Sequence, residues 1–182
     1  SRSNITKGVT ELQDDPCLAI SSFSALVSEA PGDDLAAFLG DAIDRTPDAT
    51  PLREDDVLVV TQKIVSKAEG AIVDLTTVEP RPQAVEFATA YDRDPRQIEL
   101  VLREAARVVR MANGVLITET HHGFVCANGG IDASNVGPAS GQVVTLLPRD
   151  PDASATGIRE AIRDRFGVDV PVVMSDSFGR PW

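Results

Sequence analysis

"DDVLVVTQKIVSKAEG" (residues 55–70) decides the fold class. Residues 55–61 form a short β-branched apolar run behind two carboxylates, the pattern of a buried strand, and polar "QKIVSKAEG" follows without a loop. The segment after Thr61 reads either as a helix starting directly from the strand or as a continuation of it. In both cases Lys63 and Lys67, four residues apart, fall on one face.

Upstream, "CLAISSFSALV" (17–27) predicts a strand, or a strand and loop. "PGDDLAAFLGDAID" (31–44) predicts an amphipathic helix with acidic residues at its positive end, and "TPDATPLRED" (46–55) is a proline-punctuated connector. Downstream, "EPRPQAVEFATAYDRD" (79–94) predicts a helix after its prolines. The strongest helical pattern is "DPRQIELVLREAARVVRM" (94–111), with Asp94 as cap, Pro95 in the first turn, and Ile98, Val101, Leu102, Ala105, Val108 and Val109 on one apolar face. "GVLITETHHGFVCA" (114–127) predicts two strands joined by a turn near His121 to Gly123. "QVVTLLP" (142–148) predicts a strand, "DPDASATGIREAIRDRF" (150–166) a helix with Ile158, Ile162 and Phe166 spaced by four, and "VDVPVVMSDS" (168–177) a last strand.

Helices and strands alternate loosely and no repeat occurs, so the expected fold class is α+β: mixed sheets with flanking helices. The 182 residues are 42% hydrophobic but only 4% aromatic, which predicts an aliphatic core and disfavours a nucleic-acid stacking platform. Residues 1–16 read as a flexible leader and residues 17–182 as a single domain. A formal charge of -11 argues against a polyanion-binding face. Cys17 and Cys126 stand far apart without metal-ligand spacing, and no apolar run reaches membrane-spanning length. The expectation is a soluble cytoplasmic protein that binds neither nucleic acid nor membrane.

Three features can carry chemistry. Lys63 and Lys67 are two of the three lysines in an acidic chain. Their spacing alone favours a solvated surface pair over an anion site. In "GFVCANGGIDASN" (123–135), glycines at 129 and 130 permit close approach, and Asp132 and Asn135 offer the oxygen ligands preferred by Mg²⁺ or Mn²⁺. An Asx-rich turn explains the same residues equally well. In "MSDSFGR" (174–180), Asp176 and Ser177 leave the end of a strand, where open sheets place ligand groups or a following cap. His121 and His122 would point to opposite faces in a strand and could not share a metal, so they read as a turn with at most one functional imidazole. Cys126 is expected to pack as a small hydrophobe.

Five ordered blocks then matter together: "PGDDL", "DVLVVTQKIVSKAEG", "HHGFVCANGGIDASNVG", "LLPRDPDASA" and "SDSFGRPW". Through them the sequence resembles the coenzyme F-420-0:L-glutamate ligase (F-420 gamma-glutamyl ligase) family. The resemblance implies that GTP phosphorylates the terminal carboxylate of the deazaflavin precursor coenzyme F-420-0, and that the amine of L-glutamate attacks the acyl phosphate, with γ-linked extension in reach. It implies Mg²⁺ or Mn²⁺ with K⁺ as a further ion, GTP as co-substrate, and a homodimer. Asp132 and Asp176 would be catalytic metal ligands, Ser177 a further ligand, and Gln62, Lys63, Lys67 and Asn135 GTP contacts. The family's nucleotide loop corresponds to Leu26, Val27, Ser28 and Glu29, where "ALVSE" replaces a Gly-Leu-Pro character. Family members continue past "GRPW", so residues 17–182 read as a ligase-like domain lacking the C-terminal segment. The alternative is a truncated, non-catalytic GTP- and metal-binding or dimerisation module.

Overall fold

Helix α1 (Leu35–Arg45) is capped by Asp34, whose Oδ1 accepts the Ala37 N–H at 3.0 Å. Leu35, Leu39 and Ala42 form its buried stripe. The computed structural model describes residues 31–45, 51–132 and 142–176. The strand expected at residues 17–27 lies outside them. Strand β1 (Leu58–Thr61) buries Leu58 and Val60, and α2 (Gln62–Ala68) starts at the next residue. The segment after the strand is thus helical, and Lys63 and Lys67 lie one turn apart.

Strand β2 (Ile72–Asp74) is followed by α3 (Pro82–Tyr91) and α4 (Pro95–Glu104), each opening on a proline. Asp94 caps α4 as expected, its Oδ1 accepting the Arg96 N–H at 2.9 Å. The expected length of α4 is corrected: the helix stops at Glu104, and Ala105–Ala112 form strand β3. This strand pairs antiparallel with β4 (Val115–Thr120), from Ala105 opposite Thr120 to Ala112 opposite Val115. Between them Asn113 and Gly114 take φ of 53° and 74°, the two consecutive left-handed residues of a tight hairpin turn. Val108 and Val109 are β-branched, and a strand partner outweighs the helical spacing of "AARVV". The Asn-Gly pair was the sequence signal for this hairpin.

Strand β5 (Val125–Ala127) extends this sheet in the order β3-β4-β5. Strand β6 (Val143–Thr145) pairs antiparallel with β2, and a lone bridge joins Asp132 to Thr145 beside it. Helix α5 (Pro151–Phe166) leads to β7 (Val172–Ser175), which lies parallel to β1 with Leu58 opposite Val172 and Thr61 opposite Ser175. The largest core cluster joins Leu35 and Leu39 of α1, Leu58 and Val60 of β1, Val65 of α2, and Ile158 and Ile162 of α5. A second cluster packs α3 and α4 against β4 through Ala84, Phe87, Ile98, Val101 and Leu116. The fold is α+β, with small separate sheets flanked by helices. Among the described residues, no helix is long and apolar enough to cross a membrane.

Glu99 is 1% exposed on α4, where a carboxylate requires partners. Its Oε1 accepts Arg103 Nε at 2.7 Å and Arg81 Nε at 2.9 Å, while Oε2 accepts the Arg81 backbone N–H at 3.0 Å. The group ties the start of α3 to the middle of α4. Burial works to raise the Glu99 pKa, but the Arg81 N–H and the Arg103 and Arg81 guanidinium groups outweigh it, leaving the net value below the ordinary glutamate range. A depressed folded-state pKa contributes stability that is complete above the unfolded-state value and lost as pH falls through the folded one. Urea unfolding should therefore show stability declining in the acid range. Glu99→Gln should flatten part of that decline and cost about 2 kcal/mol at pH 7, moderated because both arginines reach solvent.

Candidate functional site

Parallel strands share a direction, so β1 and β7 release their chains at the same edge. One exit leads into Gln62 and Lys63 of α2, and the other leads to Asp176. Gln62 is turned inward: its Nε2 donates to Leu146 O at 3.1 Å and to Ser66 Oγ, which fastens α2 to the chain after β6. Lys63 Nζ lies 2.6 Å from Asp132 Oδ2, with both side chains half-buried. Lys67 occupies the last turn of α2 and is also half-buried.

Asp132 is delivered by an unusual local backbone. Asn128, Gly129 and Gly130 take φ of 54°, 62° and 70°, a left-handed run that L side chains rarely adopt. A Cβ on Gly130 would also lie 3.0 Å from the Leu147 side chain, so glycine is required there for both conformation and space. Asn128 tolerates its conformation with its Oδ1 accepting Arg93 Nη2 at 3.1 Å, while Arg93 Nη1 donates to Gly114 O at 3.2 Å. Beyond the turn the chain becomes extended. Asp132 N–H donates to Thr145 O at 3.1 Å, and Thr145 N–H donates back at 2.9 Å. With its backbone fixed in that bridge, Asp132 turns a carboxylate oxygen to Lys63.

Asp176 lines a cleft of about 150 Å³ together with Gln62, Ser175, Met174, His122 and Phe124. Burial first, and the charge of Asp176 second, push the Cys126 thiol pKa up. Cys126 is the buried thiol expected from sequence, and its raised pKa keeps it protonated and unreactive. The start of α2 thus touches both loops, through Lys63 at Asp132 and through Gln62 in the cleft that Asp176 lines. Among the described residues, no group of three or more His, Cys, Asp or Glu side chains could hold a metal. Carboxylates such as those of Asp132 and Asp176 are the oxygen donors that Mg²⁺ takes one or two at a time, with phosphate and water filling its shell. Leu26, Val27, Ser28, Glu29, Asn135 and Ser177 lie outside the described residues.

Sequence reasoning missed Phe124 and left His122 unassigned. His121 and His122 lie in the turn between β4 and β5, His121 exposed and His122 half-buried. Which imidazole would face the cleft depended on Pro148, whose carbonyl oxygen lies 2.9 Å from His122 Nε2.

The family model for F420-0:Gamma-glutamyl ligase matches residues 28–182, most of the chain. The chain belongs to this family. It is similar to the coenzyme F420:L-glutamate ligase of Methanopyrus kandleri, 43% identical over 84% of this chain and 56% of that protein. The enzyme of the same name from Methanothermobacter thermautotrophicus is 39% identical over 83% of this chain and 58% of that protein. The one from Methanocaldococcus jannaschii is 39% identical over 72% and 51%. The chain therefore spans about half the length of the curated relatives it matches. Lys63, Asp132 and Asp176 all fall within the stretch matched to the F420-0:Gamma-glutamyl ligase family.

Gly130→Ala should cost about 2 kcal/mol in urea unfolding, from left-handed strain together with the Leu147 contact. Gly157→Ala, in α5 where an added Cβ would meet nothing within 4 Å, should instead stabilise by about 0.5–1 kcal/mol.

Proposed function

We propose that this chain carries the phosphoryl-transfer region of a GTP-dependent ligase that joins the terminal carboxylate of coenzyme F-420-0 to the amine of L-glutamate. Family membership supports the ligase chemistry, and the 2.6 Å ion pair between Lys63 of α2 and Asp132 is the observation that carries the site. In this reading the carboxylate of F-420-0 takes the γ-phosphoryl of GTP, releasing GDP. The glutamate amine then attacks the acyl carbon, loses a proton, and expels phosphate as the amide forms.

Such a reaction needs positioned charge more than a protein nucleophile. Asp132 and Asp176 would hold a divalent cation, which supplies charge neutralisation at the transferring phosphoryl group. Lys63 sets a positive charge at Asp132, and Lys67, one turn along the same helix, extends that charge toward a triphosphate. The bridge between Asp132 and Thr145 fixes the backbone of one carboxylate, and the other follows directly on β7, which lessens the ordering that substrate binding has to supply. Ser177, Asn135 and the 26–29 segment complete the proposed metal and nucleotide contacts. K⁺ as a further ion, a homodimer and a cytoplasmic location belong to the same proposal.

The full-length protein, given GTP, Mn²⁺ or Mg²⁺, F-420-0 and glutamate, should yield a product heavier by one glutamyl unit in mass spectrometry. Absence of that product overturns the reading. Metal-dependent GTP binding without turnover would favour a non-catalytic module. Asp132→Asn and Asp176→Asn should each lower activity about 100-fold and raise the metal requirement, with little change in melting temperature. Equal loss of stability in both, with metal dependence unchanged, would assign them to structural roles. Lys67→Ala should raise the GTP concentration for half-maximal rate several-fold, and an unchanged value would return it to the solvated surface.

A further inference from the structure

The cleft next to Asp176 has a wall that phosphoryl transfer leaves unused. Phe124, Leu147, Pro148, Pro151 and Met174 make it largely apolar, and none of its described lining residues is Lys or Arg. The His122 and Phe124 rings stack with centroids 6.1 Å apart and planes 28° from parallel, and Phe124 is nevertheless 46% exposed. The turn that carries them is fixed, because Thr120 N–H donates to Phe124 O at 2.9 Å and Phe124 N–H donates to Thr120 Oγ1 at 3.2 Å. A half-exposed aromatic held this firmly beside a cleft is a ready surface for a flat ligand.

His122 adds an edge to that surface. Its Nε2 lies 2.9 Å from Pro148 O and 3.2 Å from Arg149 O, both acceptors only, so Nε2 carries the proton and donates. In the neutral ring Nδ1 is then an acceptor. It is buried and has no hydrogen-bond partner, one of three such side-chain atoms among the described residues. A buried polar atom without a partner costs free energy, and a donor on a ligand that reached it would relieve that cost.

We infer that the His122–Phe124 wall binds the planar deazaflavin ring of the substrate whose carboxylate is activated. The inference rests on the ligase reading above. Guanine is also flat and carries N–H groups at its edge, but it arrives with a triphosphate. The lysines that suit a triphosphate are Lys63 and Lys67 of α2, and although Gln62 of that helix lines the cleft, none of the described lining residues is Lys or Arg. An apolar wall next to Asp176 instead suits a ring whose acid-bearing tail extends toward the phosphoryl-transfer site.

Titrating F-420-0 into the full-length protein, followed by deazaflavin fluorescence, tests this, with GTP affinity measured in parallel. Phe124→Ala should weaken F-420-0 binding about tenfold and leave GTP affinity unchanged, while Phe124→Trp should restore binding. His122→Phe keeps a ring but removes the acceptor, and should weaken F-420-0 binding several-fold. Unchanged F-420-0 affinity in Phe124→Ala, with wild type binding normally, overturns the inference and leaves the ligase reading standing. Weakened GTP binding with intact F-420-0 binding assigns the cleft to guanine and also overturns it. A folded wild-type protein that binds GTP but not F-420-0 overturns both.

Discussion

The first and last of the described strands, β1 and β7, lie parallel and in register, with Thr61 beside Ser175. Because parallel strands point the same way, the first turn of α2 and the Asp176 segment leave the sheet at one edge. Leu58 and Val60 hold that pair against α1 and α5, so the core stabilising the fold also sets the position of the site. Without this pairing, the start of α2 and the Asp176 segment would not leave the core side by side.

The third arm of the site depends on backbone chemistry. Three successive residues with positive φ turn the chain after β5, and the two glycines among them avoid the Cβ penalty that Asn128 bears. Arg93 reaches from the loop between α3 and α4 to Asn128, and the Asp132–Thr145 bridge fixes the segment on the other side. The carboxylate is therefore placed by hydrogen bonds on both sides of the turn, a pre-ordering that a charged transition state can use.

Much of this was legible in the sequence. The strand at 58–61, the Asp94 cap, the hairpin after Gly114 and the Ile158–Ile162 stripe of α5 follow from period, capping and turn chemistry. Residues 105–112 did not follow, because Ala105, Val108 and Val109 satisfy a helical period that local sequence cannot weigh against pairing with β4. The lysine pair, the Asp132 loop and the Asp176 strand end could each be identified as a candidate. Alone, each was equally or better explained by a solvated surface, a turn or a cap.

By itself the sequence determined the residue types a phosphoryl-transfer site would draw on, the elements that carry most of them, and a family resemblance that the comparisons bear out. Tertiary structure alone decided that Lys63 pairs with Asp132, that Asp176 faces the same cleft as His122 and Phe124, and that Gln62 is an anchor for α2. The physical reason is range. Capping, periodicity and turn geometry act within a few residues, whereas the register of β1 on β7 and the bridge at Thr145 join segments that only the folded core brings together.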